Sequence, residues 1–206
     1  MADNSKTKLT VLDQITSSDK VRKKIIDSAS TLYARKGFTA TSIEEISEMA
    51  GVSLPVTYHY VKKKSEIMRM IMEDFLNGFR ASLAEKMRDI DDPEEKVAIA
   101  VSLYIKAVDQ QKKQALLIYQ KSSSLDKASK SRIMQLEVEL SEILGEIIEE
   151  GLQKGLFAGV DTNLMAYNII MIAHMWVLKG WHFKRRLTLD QYIDLQVSTI
   201  LQALRP

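Results

Sequence analysis

The stretch from Lys20 to Lys64, KVRKKIIDSASTLYARKGFTATSIEEISEMAGVSLPVTYHYVKKK, restricts the fold more than any other part of the chain. It divides into three short helical segments, the third opening just after a glycine turn and ending in a lysine run. Two short helices joined in this way form a helix-turn-helix, which makes DNA the first partner to consider. The spacing predicts a first helix from about Asp19 to Lys36, with Ile25, Ala29, Leu32 and Tyr33 on one face and Lys36-Gly37 as its cationic last turn and stop. Thr41-Ser42-Ile43-Glu44 reads as a capping box in which Thr41 and Glu44 satisfy free backbone N–H groups. Ile43, Ile46 and Met49 or Ala50 then form the core face of helix two, and Ser47 is small enough for a close helix crossing. Gly51 supplies the left-handed turn, Ser53 caps helix three, and Pro55 falls in its first turn, where a missing N–H is harmless.

The rest of the 206-residue chain points to an all-α protein in two units. Only three prolines and eight glycines interrupt a sequence 46% hydrophobic and 27% charged, with no strand-like alternation and no internal repeat. Residues 1–17 are polar and aperiodic and read as a flexible arm, 18–64 as the helix-turn-helix domain, and 65–206 as a helical ligand-binding and dimerisation domain. Within the last, helices are expected over about Ser65–Asp89, from Asp92-Pro93 onward, over about Gln114–Ser124, Lys127–Lys154, Thr162–Lys184 and Leu189–Leu204. Charge divides unevenly between the units. Residues 1–64 carry eleven Lys/Arg against seven Asp/Glu, a net +4, whereas the remainder is −2. One basic end suits a chain that meets phosphate at that end only, although a solvated basic face explains the charge equally well.

Several classes fall away on composition. With no cysteine there is no disulfide, thiolate metal site or cysteine nucleophile, which suits a reducing cytoplasm. The first twenty residues lack a signal-peptide core, and the apolar run Asn168–Leu178 stops at Lys179, short of a membrane span. His59, His174 and His182 are scattered rather than paired at metal-ligand spacing, and no glycine-rich phosphate loop, nucleophile elbow or HExxH occurs. We therefore expect no catalytic residues, no metal and no cofactor.

Arg22, Ile25, Ala29, Leu32, Lys36-Gly37, Thr41, Ile46, Ala50-Gly51-Val52-Ser53 and Tyr58-His59-Tyr60 fall in the order and spacing of the tetracycline-repressor (TetR) family's N-terminal domain, which this segment resembles. The resemblance implies a cytoplasmic homodimeric transcriptional regulator, usually a repressor released from a palindromic operator by a small ligand. Two positions depart from the pattern. Thr57 stands where an aliphatic residue is usual, so its hydroxyl must bond back to a preceding carbonyl. Val61 replaces a phenylalanine and fills less of the small core.

Helix three then lies in the major groove with Leu54, Pro55, Val56 and His59 nearest the base edges. The first three offer only apolar contact, which suits thymine methyls and leaves a share of specificity to DNA shape. Thr41, Ser53, Tyr58, Tyr60, Lys62, Lys63 and Lys64 form the expected phosphate set, one of the two tyrosines serving mainly to pack the headpiece. Lys20, Arg22, Lys23 and Lys24 are either further phosphate contacts or ordinary surface charge.

In the C-terminal unit, Ala166–Phe183 is apolar on nearly every side, so one face is expected against the core and another against a second copy, together with Leu189, Ile193, Val197, Ile200 and Leu204. A membrane-surface helix is the alternative, but the polar face is too narrow for it. Asn168 and His174 are polar on this oily helix. They read either as satisfied core residues or as lining of a ligand pocket with Tyr104, Tyr119, Met134, Met165, Met171 and Trp176. Lys179–Arg186 adds cations that are either a solvated turn or the basic mouth of that pocket. The segments LLIYQKSSSL, EEGLQKGLF and HMWVLKGWHF are similar to regulators tied to fatty-acid or acyl-CoA metabolism, which implies an acyl-CoA effector. A helical dimeric adaptor without sequence-specific DNA binding is the competing class. It would have no use for a capping box, glycine turn and lysine run in register.

Overall fold

The computed structural model describes the backbone of residues 3–121 and 125–206, and these form ten helices and no strand. Three make the headpiece: α1 (Asp3–Lys36), α2 (Ile43–Ala50) and α3 (Leu54–Tyr60). The body comprises α4 (Lys64–Met87), α5 (Pro93–Gln110), α6 (Lys112–Lys121), α7 (Lys127–Gln153), α8 (Thr162–Leu178), the single turn α9 (Gly180–Phe183) and α10 (Leu189–Leu204). The first helix starts sixteen residues earlier than its expected start at Asp19. From Asp3 on, the supposed arm continues α1, because no proline or glycine separates Asp3 from Lys36 and nothing there breaks the helical ladder.

The expected faces pack as the periodicity required. Ile25, Ala29, Leu32 and Tyr33 close on Phe38, Ile43, Ile46, Ala50 and Val61 to make a small core. That core is completed from below by Ile67, Met68, Met70 and Ile71 of α4 and by Ile133 of α7. A second, larger core joins α4, α5, α7, α8 and α10 through Phe79, Val101, Tyr104, Leu140, Leu144, Ile148, Ile169, Ile170, Tyr192 and Leu204. α4 therefore belongs to both units. Its first half holds up the headpiece and its second half packs in the body.

Local chemistry sets the boundaries. Asp92, Asp126 and Asp161 cap α5, α7 and α8 by accepting backbone N–H bonds, and Thr188 with Gln191 forms a full capping box for α10. The helix expected from Thr162 to Lys184 is broken at Lys179, whose φ of −112° leaves the helical well just before Gly180. The expected end of α6 at Ser124 lies outside the described residues. No helix is long and apolar enough to cross a membrane among the described residues.

Candidate DNA interface and effector cavity

The recognition element is seven residues long and depends on its two ends. Ser42, not Thr41, caps α2: its hydroxyl accepts from the Glu45 N–H while Glu45 accepts from the Ser42 N–H at 2.8 Å. The capping box is thus one residue later than expected. Thr41 is buried and donates its hydroxyl to the Gly37 carbonyl at 2.8 Å, so it is turned away from any phosphate. Gly51 takes the left-handed conformation at φ 61°, ψ 36°, and the following Val52 N–H reaches back to the Ser47 carbonyl, closing α2 as α3 begins. Ser47 lies in the crossing, where it donates to the Ile43 carbonyl.

α3 is held from beneath by Thr57, which is fully buried. Its hydroxyl lies 3.4 Å from the Ser53 carbonyl, the back-bond that a threonine at this position requires. The opposite face is open: Ser53, Pro55, Val56, Tyr58 and His59 are exposed and Leu54 is half-buried. Ser53 marks the helix start but makes no side-chain cap bond, so its hydroxyl is available. Tyr58 donates to Glu44 at 3.3 Å from an exposed position. Tyr60 instead bonds Ser18, donating to its carbonyl at 3.2 Å, and pins the end of α3 to α1. Both tyrosines bond within the headpiece, Tyr58 from an exposed position and Tyr60 from a half-buried one.

The lysine run does not act as one unit. Lys64 donates to the carbonyls of Phe38, Thr39 and Thr41 at 2.9, 3.1 and 2.6 Å and stands over the Phe38 ring. It is a clasp on the α1–α2 loop rather than part of a phosphate clamp. Lys63 pairs with Asp126 at 3.1 Å. Lys62 is exposed and makes no ion pair among the described residues. On α1, Arg22 and Lys23 pair with Glu73 and Asp74 of α4, while Lys20 and Lys24 point to solvent.

A cavity of about 290 Å³ opens in the body between α4, α5, α6, α7 and α8. Of the expected pocket residues, Tyr104, Tyr119, Met134 and His174 line it. Met165, Asn168, Met171 and Trp176 do not. The first three border an open groove between α8 and α10 with Ile172, Thr199 and Ala203. Trp176 is buried in the body core, its indole N–H donating to Asp109 at 2.9 Å. A helix apolar all round gave no sign of which residues faced inward, and the α5 and α7 partners decided it. The basic mouth is likewise absent from this wall. Lys184 is drawn to Asp109 and the Trp176 ring, and Lys130 is the only lysine or arginine lining the cavity among the described residues.

Sequence reasoning missed the α4 wall (Ile71, Met72, Phe75, Leu76), the α7 wall (Leu136, Glu137, Leu140), and Gln111 and Gln114. Glu137 had a signal: it stands one turn from Ile133 and Leu140, on the buried edge of an amphipathic helix. At the polar end of the cavity, His174 sits between two phenols, Nε2 3.0 Å from the Tyr104 hydroxyl and Nδ1 2.6 Å from that of Tyr119. Burial pushes the imidazole down to about 4, so it is neutral at physiological pH. Burial also raises the Glu137 carboxyl, and burial with the Glu137 charge raises the Tyr119 phenol.

A short exposed helix after a glycine turn, seated on a helical body with its own cavity, defines a helix-turn-helix protein with a separate helical domain. The comparisons agree. The description "Bacterial regulatory proteins, tetR family" matches residues 25–71, and "Tetracyclin repressor-like, C-terminal domain" matches residues 90–204, more than half the chain. The chain belongs to the TetR family of DNA-binding transcriptional regulators. It is 27% identical over 173 residues to the HTH-type transcriptional regulator HbdR of Aromatoleum sp. (strain CIB), covering 84% of this chain and 76% of that one. Among solved structures it resembles the fatty acid degradation regulator FadR from Bacillus halodurans, with TM-score 0.75 and 22% identity over 89% of this chain and 99% of that one. It also resembles AibR in complex with isovaleryl coenzyme A and operator DNA, with TM-score 0.68 and 22% identity over 87% and 97%.

Proposed function

We propose that two copies of this chain bind a palindromic operator as a repressor, and that a small, largely apolar acyl-CoA-type effector in the α4–α8 cavity releases it. Leu54, Pro55, Val56 and His59 meet the major groove, and Ser53, Tyr58 and Lys62 meet phosphates. Thr41 and Lys64 support the headpiece without touching DNA. The partner copy covers the α8–α10 face, where Leu164, Met171 and Leu195 are exposed.

The observation that carries the effector reading is a shared wall. Ile71 and Ile133 are buried members of the headpiece core and also line the cavity, and Met72 and Leu125 pack on that core from the same wall. A ligand entering the cavity presses on the side chains that seat the recognition helix. Ion pairs tie the same layers together: Glu73 of α4 receives Arg22 from α1 and Arg132 from α7. Effector binding need only favour a setting of α4 and α7 in which the two recognition helices no longer match the groove spacing. At about 290 Å³ the cavity is at the small end of ligand sites, which run from about 300 to 1,000 Å³, and suits one short chain. That is an acyl group, with the nucleotide end of the thioester outside. AibR, whose solved structure contains isovaleryl coenzyme A and operator DNA, supplies the analogy for this class of ligand.

The test couples two readouts over a panel of acyl-CoA thioesters of increasing chain length. A bound thioester at a hundred times its Kd stabilises the fold by about 2.7 kcal/mol. The same compound should dissociate the chain from an operator selected out of random DNA. A panel that neither raises the melting temperature nor weakens DNA binding refutes the acyl-CoA reading.

A further inference from the structure

The polar end of the cavity has one donor too many and one acceptor too many. A neutral imidazole carries one N–H and one lone pair, so with two phenols the Tyr104–His174–Tyr119 chain holds three donor hydrogens for its two bonds. In one tautomer the Tyr104 hydroxyl hydrogen is left over, in the other that of Tyr119. Besides the imidazole, the Tyr119 hydroxyl reaches the Met171 sulfur at 3.8 Å, a weak acceptor. Beside the triad, Glu137 is half-buried on the cavity wall and makes neither a hydrogen bond nor an ion pair among the described residues. It lines the same cavity as both phenols, and its charge disfavours ionising either of them. Groups of this kind on a largely apolar wall, which also carries Gln111, Gln114 and Lys130, are partly desolvated, a cost that a complementary ligand removes.

We infer that the cavity selects a hydroxylated acyl group, whose hydroxyl donates to Glu137 and whose oxygen or neighbouring carbonyl accepts from the tyrosine–histidine chain. This rests on the reading of the cavity as the effector site and narrows the effector within it. A plain alkyl chain fills the volume but leaves both polar partners unpaired. A ligand carboxylate at this end meets the Glu137 charge, and Lys130, two helical turns from Glu137 along α7, is the one cation on the wall among the described residues. A cationic amine satisfies Glu137 but gives nothing to the leftover phenol hydrogen.

Calorimetric titration of the full chain with octanoyl-CoA, 3-hydroxyoctanoyl-CoA and octylamine separates these cases. The hydroxylated thioester should bind roughly tenfold or more tightly than octanoyl-CoA, since a hydrogen bond to a charged, partly buried group is gained only by the former. Glu137→Leu should erase or invert that preference, Glu137→Gln, which keeps an acceptor, should retain part of it, and Tyr119→Phe should narrow it. Retained thioester binding by these variants reports that they have folded. Equal affinity for the two thioesters, or tightest binding of octylamine, overturns the inference while leaving the cavity as an effector site. No binding of any of the three overturns both.

Discussion

Lys62, Lys63 and Lys64 are consecutive and identical in chemistry, yet the fold gives each a different neighbour. Lys64 replaces the missing donors of the α1–α2 loop with one ammonium group on three carbonyls. Hydrogen bonds from a charged donor contribute about 1.5–3 kcal/mol, so Lys64→Ala should lower headpiece stability by about that amount. Lys62→Ala should leave the melting temperature unchanged, weaken DNA binding, and reduce the log–log salt slope by about 0.9, one phosphate contact. Thermal melts paired with salt titrations read both. If Lys64→Ala changed the salt slope and left the melting temperature alone, the structural assignment of that lysine would be wrong. Thr57 follows the same logic. A hydroxyl stands where an aliphatic side chain is usual, and burial is tolerated because the Ser53 carbonyl lies within reach.

At the level of elements, the junction between headpiece and body is concentrated at the start of α7. Asp126 caps that helix through the Ser129 N–H at 3.2 Å and also accepts from the Ser65 hydroxyl at the start of α4 and from Lys63. The Ser65 hydroxyl, then the Ser129 backbone and side chain and the Lys63 ammonium, hold its carboxyl well below the usual carboxylate range. Because the folded value is depressed, the stabilisation is complete above the unfolded value of about 4 and is lost as pH falls below it. Asp126→Asn should therefore be less stable than the parent at pH 7, with the difference closing on acidification below about pH 4. Chemical denaturation across that range measures it, and a difference that widened at low pH would contradict the assignment. A close approach of a different kind holds the other end of α7. A Cβ on Gly151 would overlap the Phe157 ring, so this glycine is required by packing, whereas Gly155 is required by its positive φ of 69°.

For the molecule as a whole, the proposed coupling runs through Ile71 and Ile133, which belong to the headpiece core and also line the cavity of the body. The α8–α10 face is left uncovered in the single chain, with Leu164 63% and Leu195 55% exposed. Met171 belongs to this face rather than to the cavity wall. Ile193, Ile200 and Leu204, expected at the partner surface, are buried in their own protomer. Met171→Glu should accordingly leave helix content and thermal unfolding of the protomer intact while shifting sedimentation toward a monomer and weakening operator binding. A variant that sediments as the parent does would show that the partner surface lies elsewhere.

The sequence by itself determined the all-helical class, the headpiece with its glycine turn, the caps at Asp92 and Gly155, and the family to which the chain belongs. These are set by neighbours three or four residues apart, through period, capping and turn chemistry, all of which a linear chain displays. It determined the site less completely. Tyr104, Tyr119, Met134 and His174 were legible as lining of one cavity, and Ser53, Pro55, Val56, Tyr58, His59 and Lys62, expected to meet DNA, are exposed on the headpiece. The tertiary structure alone decided that Thr41 and Lys64 turn inward, that Trp176 is core, that Met165, Asn168 and Met171 border the α8–α10 groove, and that Glu137 faces a cavity. Each of those outcomes depends on which distant helix lies opposite. On α8, apolar on nearly all sides, local periodicity cannot single out one face.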